Sequence, residues 1–366
     1  MEILPKTLGT RPRLAVEVRA ESVVAARAED ATAVLTAVAR ADVPEGAIVP
    51  SLKPGNIADR GAVTAALRKV LDNVAGSGRE RLRDVTVVVP DSAVRVLFVD
   101  FDQLPSKAAE ALPVVRFRLK KLLPFDADDA MVSYQVMSTE KNAVKLLAVA
   151  MPKAVLDEYE AVVLAAGYLP GAVLPSTLAA LAGLEEISAP VLMVNAGLGG
   201  VTTAIVQGET LLLHRSFDLS VDANAPAEGT EVLPLVDRES SAQEWAQQEP
   251  LGPGGWDRFD AEAAMQTSVV ETAVARESVL NSRSREVAQA VSVAAAYFED
   301  SLQRSPDQLL VAGTLGAETL AAMMDESGVQ GLQVREMVDA GMLGLGASTA
   351  RVPRNWLAGV RGALRN

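Results

Sequence analysis

A single histidine and no cysteine set narrow limits on the chemistry this chain can perform. Disulfide frameworks, thiolate metal sites, iron–sulfur ligation and thiol catalysis are excluded, and there is no His pair to hold a catalytic metal. Acyl transfer of the Ser/His/Asp kind would have to run through His214, which follows three leucines and reads as structural. Five carboxylates, Asp100, Asp102, Asp126, Asp128 and Asp129, lack the spacing of a calcium loop and read as solvated caps at element ends. Glycines crowd two places, Gly197, Gly199 and Gly200 in one and Gly313 and Gly316 in the other. Such turns can offer backbone N–H groups to phosphate, although glycine is also the default hairpin residue without any ligand.

The composition supports a folded body around these turns: 49% of the 366 residues are hydrophobic and 22% charged. At this length a single core stops growing, so two lobes are expected. The net charge of −13 argues against a nucleic-acid partner. It is also concentrated, because residues 218–271 hold 12 acidic and 2 basic side chains, a net of −10 that leaves −3 for the rest. With its Pro, Gly, Gln and Ser, that segment reads as a solvated insertion outside the core, and Trp245 and Trp256 either pin it to the body, the commoner role, or form a contact for a partner. Residues 1–9 lack the apolar core of a secretory signal, and a cytoplasmic protein is expected. The uncharged stretches 161–184 and 187–208 are interrupted by Pro and Gly and read as core, not as membrane spans.

Periodicity arranges the chain into two similar halves. Residues 14–18 and 23–27 alternate about a turn at 19–22, with a third strand expected near 46–49. A helix at 59–74 and a Val-rich buried strand at 85–89 follow. Next come a strand at 94–101, a helix at 106–123 interrupted by Pro113, strands at 130–137 and 144–150, and a helix at 152–166. A short strand at 173–174 precedes a helix capped by Ser176. The second half opens with a meander at 191–195, 201–206 and 210–217. Helices are expected at 269–281, 283–303, 317–327 and near 340–347, with strands at 308–311 and 332–334. The fold class is therefore α/β, a duplicated βββαβα plan in two lobes with an inserted β-α-β-β-α subdomain. Residues 1–92, completed by 166–188 and a C-terminal helix near 340–366, form the first lobe. Residues 93–165 form the insert and 189–339 the second lobe, with its acidic insertion at about 218–268.

This plan resembles the actin-like (ribonuclease H-like) ATPase fold shared by actin, Hsp70, sugar kinases and FtsA. The insert is more specific: Leu104-Pro105, a helix ending in Lys121-Leu122-Leu123-Pro124-Phe125-Asp126, and the strand Val132-Ser133-Tyr134-Gln135-Val136 resemble the subdomain of the type IV pilus assembly protein PilM family. The resemblance covers roughly residues 13–217 and 283–350. In the wider fold the two hairpin turns carry Asp then Gly, addressing the phosphates and Mg²⁺ of ATP. Here Glu17 and Arg19 stand in the first turn, and Asn195 replaces Asp in the second beside Gly197, Gly199, Gly200, Thr202 and Thr203. The adenosine-side motif is reduced to Gly313-Thr314-Leu315-Gly316. The resemblance thus implies a degenerate cleft without catalytic residues, metal or required cofactor, ATP with Mg²⁺ being disfavoured.

What the resemblance implies about function is a cytoplasmic adaptor, peripheral at the inner membrane. It would bind the short N-terminal segment of a PilN-like single-span protein beside the insert and link it to the pilus motor. Phe98, Phe101, Phe117 and Tyr134 are the aromatics placed to line that groove or the subdomain core. The alternatives are an active ATPase or kinase of the same fold, and the cytoplasmic component of a type II secretion platform, which is followed by a membrane span not seen in this sequence. Arg116, Arg118, Lys120 and Lys121, with Arg351, Arg354, Arg361 and Arg365, are the concentrated positive charge. They read as solvated faces or as an approach to anionic lipid or an acidic partner.

Overall fold

The computed structural model describes residues 11–76, 82–141, 143–184, 189–208, 210–219, 283–326 and 331–365. The first half opens with β1 (Leu14–Val18), β2 (Ser22–Ala28) and β3 (Leu35–Asp42), an antiparallel meander. α1 (Arg60–Val74) begins where the Asp59 side chain accepts from the Ala62 N–H, and buries Val63, Leu67, Val70, Leu71 and Val74 along one face. It leads to β4 (Asp84–Val89), whose valine run is buried on both faces as a parallel strand beside β1. An excursion follows: β5 (Arg95–Phe101), α2 (Ala108–Leu119), β6 (Ala130–Glu140) and β7 (Ala143–Pro152). α3 (Lys153–Ala165) then returns the chain to β8 (Leu169–Pro175), parallel to β4, and to α4 (Ser176–Ala182).

The second half repeats the scheme with β9 (Val191–Ala196), β10 (Gly200–Gln207) and β11 (Thr210–Asp218), then α5 (residues 283–302), β12 (Gln308–Gly313), α6 (Ala317–Glu326) and β13 (Gln333–Glu336). The two five-stranded sheets have matching orders, β3-β2-β1-β4-β8 and β11-β10-β9-β12-β13, and matching strand senses. The chain ends with α7 (Leu345–Ser348) and α8 (Ala358–Leu364). One core lies under α1 and α3, another under α5 and α6. A third, shared by both sheets, surrounds α4 and α8. α8 reaches it because Gly362 lets two backbones touch: a Cβ there would lie 1.8 Å from the Ala179 carbonyl oxygen.

Several expectations are corrected. The third strand is β3, not residues 46–49; these belong to a loop held by buried Asn56, which bonds Ser51 and Lys53, and by Glu158, which accepts from the Gly55 and Ile57 N–H groups. α2 is not interrupted at Pro113, because the carbonyl left free, that of Ala109, lies in the exposed first turn. α3 is not part of the insert: Val155, Tyr159, Val162 and Val163 pack into the core of the first lobe. The insert is a β-α-β-β unit, sheet order β5-β7-β6, with α2 on one face. Residues 340–347 form a short 3-10 turn and the start of α7, and the helix that closes the first lobe is α8. The helix expected at 269–281, Trp245, Trp256 and the acidic segment beyond Leu219 lie outside the described residues. Among the described residues, no helix is long and apolar enough to cross a membrane.

Candidate functional site

β1 and β9 end in turns that face each other, close enough that a Cβ on Gly199 would sit 4.0 Å from that of Ala20. Between them lies a cavity of about 80 Å³ lined by Glu17, Arg19, Asn195, Gly197, Gly199, Gly200, Thr202 and Gly313, together with Glu21, Asp91, Ser176 and Asp218. Eight of the nine residues assigned to the degenerate cleft therefore meet in space. The ninth, Gly316, is not among the lining residues; it precedes α6, where the Ala317 N–H donates to Glu336 Oε1. The space admits several waters, whereas ligand pockets are typically about 300–1,000 Å³.

The first turn is closed by its own side chains. Arg19 Nη2 donates to Glu17 Oε2 at 2.9 Å and to the Trp356 carbonyl at 3.1 Å. Its guanidinium lies 5.3 Å from the Trp356 ring centroid, and Arg40 approaches the same ring to 3.9 Å. Glu17 and Arg19 are 1% and 9% exposed. A Cβ on Gly359 of α8 would lie 2.4 Å from Glu17 Oε2, so this carboxylate is pressed against the C-terminal helix. The sequence placed Arg19 as an obstruction. The structure adds that it pairs with the Glu17 carboxylate at the end of β1.

The second turn is closed by a chain of hydrogen bonds whose directions are fixed. Ser176 Oγ donates to Glu17 Oε1 (2.6 Å) and Thr177 Oγ1 to Asp91 Oδ2 (2.6 Å), which commits both hydroxyl protons. Each hydroxyl then accepts from Asn195 Nδ2, at 2.9 and 3.0 Å. Asn195 supplies two donors at a point where a carboxylate would supply none, so it is the residue this network requires. Asp91 also accepts from the Thr177 N–H at 3.1 Å, doing for α4 what Ser176 was expected to do as a cap. Burial pushes the His214 imidazole below its ordinary pKa, and the charge of nearby Asp91 pulls it back in part. Burial likewise raises the Glu21 carboxyl, opposed by Arg19.

Gly313 has a structural reason to be glycine. Its φ is +94°, and a Cβ would fall 2.2 Å from the Ala196 carbonyl, which accepts from the Thr314 N–H at 2.7 Å. Asn355 Nδ2 donates to the Gly313 carbonyl at 3.1 Å. Glu21, Asp91, Ser176, Thr177, Asn355 and Trp356 were not singled out from sequence for this site. Asp91 and Ser176 stand at strand ends after prolines, the one signal that could have pointed to them.

The four aromatics assigned to a partner groove do not share one surface. Phe101 and Tyr134 pack into the core beneath α2. Phe98 lies on the opposite sheet face, 42% exposed, and Phe117 is on the outside of α2, 68% exposed. Of the carboxylate set, Asp126 accepts from the Asp128 N–H and Asp128 pairs with Lys120. The terminal arginines are not all solvated: Arg361, 3% exposed, and Arg365 both donate to the Gly183 carbonyl.

No family profile and no curated protein matches this sequence. Solved structures do. A chain of a PilM–PilN type IV pilus biogenesis complex is similar with a TM-score of 0.66 at 17% identity, covering 97% of both chains. The ethanolamine utilization protein EutJ from Carboxydothermus hydrogenoformans gives 0.43 at 12% identity over 99% of this chain and 90% of the other. The cytoplasmic domain of EpsL, an inner-membrane component of the Vibrio cholerae type II secretion system, gives 0.37 at 16% identity over 66% and 90%. Over nearly its whole length, then, this chain shares the fold of the matched chain of that complex, the actin-like ATPase fold.

Proposed function

We propose that this chain is a non-catalytic adaptor of a type IV pilus assembly platform, cytoplasmic and held peripherally at the inner membrane by a PilN-like partner. The observation that carries the reading is the closed cleft. Arg19 neutralises Glu17, and Asn195 is committed to Ser176 and Thr177, so the positions that would address phosphates and Mg²⁺ bond the protein to itself. Opening that network for ATP would strip buried charged groups of their partners, which is strongly unfavourable. The second support is a fold likeness to a protein whose structure was solved as a complex with PilN.

The partner's short N-terminal segment has a suitable place on the sheet face opposite α2. There Phe98, Leu147 and Gln135 form one row across β5, β7 and β6; Leu147 is buried in the core shared by both sheets, with Val96, Val149 and Met137 against it, so the open part of this face is its Phe98 edge. Phe98 is half-exposed, and Gln135 Oε1 is a buried acceptor without a partner, suited to a peptide N–H. The test is a calorimetric titration with the N-terminal peptide of the single-span protein encoded beside this gene. Saturable binding is expected, weakened about tenfold or more by Phe98→Ala, since an anchoring aromatic contributes roughly 1.5–3 kcal/mol. Absence of binding to that peptide, with turnover of ATP instead, overturns the proposal.

A further inference from the structure

α2 buries Ala111, Val115 and Leu119 completely against the three-stranded sheet. The stripe on its far side points away from the body and would ordinarily be polar. Instead it and the turn that follows carry Val114, Phe117 and Leu122, at 38%, 68% and 47% exposure. The four cations of this segment separate into two pairs. Arg116 Nη1 donates to the Ala127 and Ala130 carbonyls, and Lys120 pairs with Asp128. The Arg118 and Lys121 side chains are exposed, have no partner among the described residues, and share the stripe with the apolar residues. Glu110, the one carboxylate of α2, pairs with Lys107.

We infer that this ridge is a contact for an anionic lipid bilayer. Two free cations interleaved with Val114, Phe117 and Leu122 match the boundary where headgroup charge meets acyl chain. The charge match is local, because the chain as a whole is at −13 and is repelled by such a surface. Two cations and one aromatic give modest affinity alone. A second attachment makes it effective, and here the inference rests on the proposed role: a short segment of a membrane protein bound to the insert raises the effective concentration of lipid at α2.

The test is sedimentation of the full chain with vesicles of phosphatidylglycerol and phosphatidylcholine, against phosphatidylcholine alone, at low and high salt. Binding to the anionic vesicles alone is expected, weakening as salt rises. Replacing Arg118 and Lys121 together by Ala should lower partitioning about 30-fold. Phe117→Ser should lower it further with Tm unchanged. Equal binding to neutral vesicles, no binding to anionic ones, or unaltered binding by the double variant overturns the inference. So does cross-linking from position 117 to an acidic protein in place of lipid. Calorimetry with the free partner peptide is independent: peptide binding without vesicle binding removes the lipid contact alone, and vesicle binding without peptide binding removes the proposed role alone.

Discussion

β1 and β9 occupy the same place in two sheets of the same order, and each ends in a turn at the edge of one cleft. The turn after β1 has a charged, bulky solution: Arg19 lies back over Trp356 and onto Glu17, an ion pair almost wholly removed from water. The turn after β9 keeps its glycines and has a neutral solution, an amide feeding two hydroxyls that feed two carboxylates. One turn is filled and the other tied. The two solutions meet at Ser176, which joins Glu17 to Asn195, so the two turns belong to one connected network.

Removing either solution should therefore have different consequences. The largest is expected from Glu17→Ala, which leaves Arg19 buried without its counter-charge; a loss of about 3–5 kcal/mol should appear in denaturant unfolding. Gly313→Ala should cost roughly 3 kcal/mol through its positive φ and the clash with the Ala196 carbonyl. Gly197→Ala, whose Cβ would meet only Thr314 Oγ1 at 3.7 Å, should be close to neutral, marking which glycines serve packing. Asn195→Asp removes two donors and sets a charge near Asp91; about 2 kcal/mol should be lost at neutral pH. Like-charge repulsion raises that new carboxyl, so the loss should shrink as pH falls and it protonates. A pH-dependent effect concerns His214. Its folded pKa lies below the ordinary 6.5, so the unfolded chain takes up the proton first and stability falls as pH drops below about 6.5. His214→Leu should flatten this acid limb in a Tm-versus-pH series, and an unchanged limb would assign it to the carboxylates.

The duplicated strand order was legible because its strands are continuous β-branched runs, such as Val85 to Val89, or simple alternations about short turns. β3 was missed because Leu35–Asp42 is alanine-rich and takes its place by pairing with β2. α8 was expected only as a C-terminal helix near 340–366, without its bounds, because Gly359 and Gly362 are poor helix formers that let the helix touch Glu17 and Ala179. In the site, Glu17, Arg19 and Asn195 were legible as departures from a pattern. Their partners were not, since Trp356 lies 337 residues from Arg19, and Ser176 lies 159 from Glu17. Departures from a pattern can be read along the chain, whereas the hydrogen bonds that join them across more than a hundred residues cannot.

The central claim is that the phosphate positions of this fold are occupied here by the protein's own side chains. Calorimetric titration of the purified chain with ATP and Mg²⁺, with phosphate release followed in the same sample, tests it most directly. No saturable heat and no release above the protein-free rate are predicted; micromolar, Mg²⁺-dependent binding with turnover would contradict it.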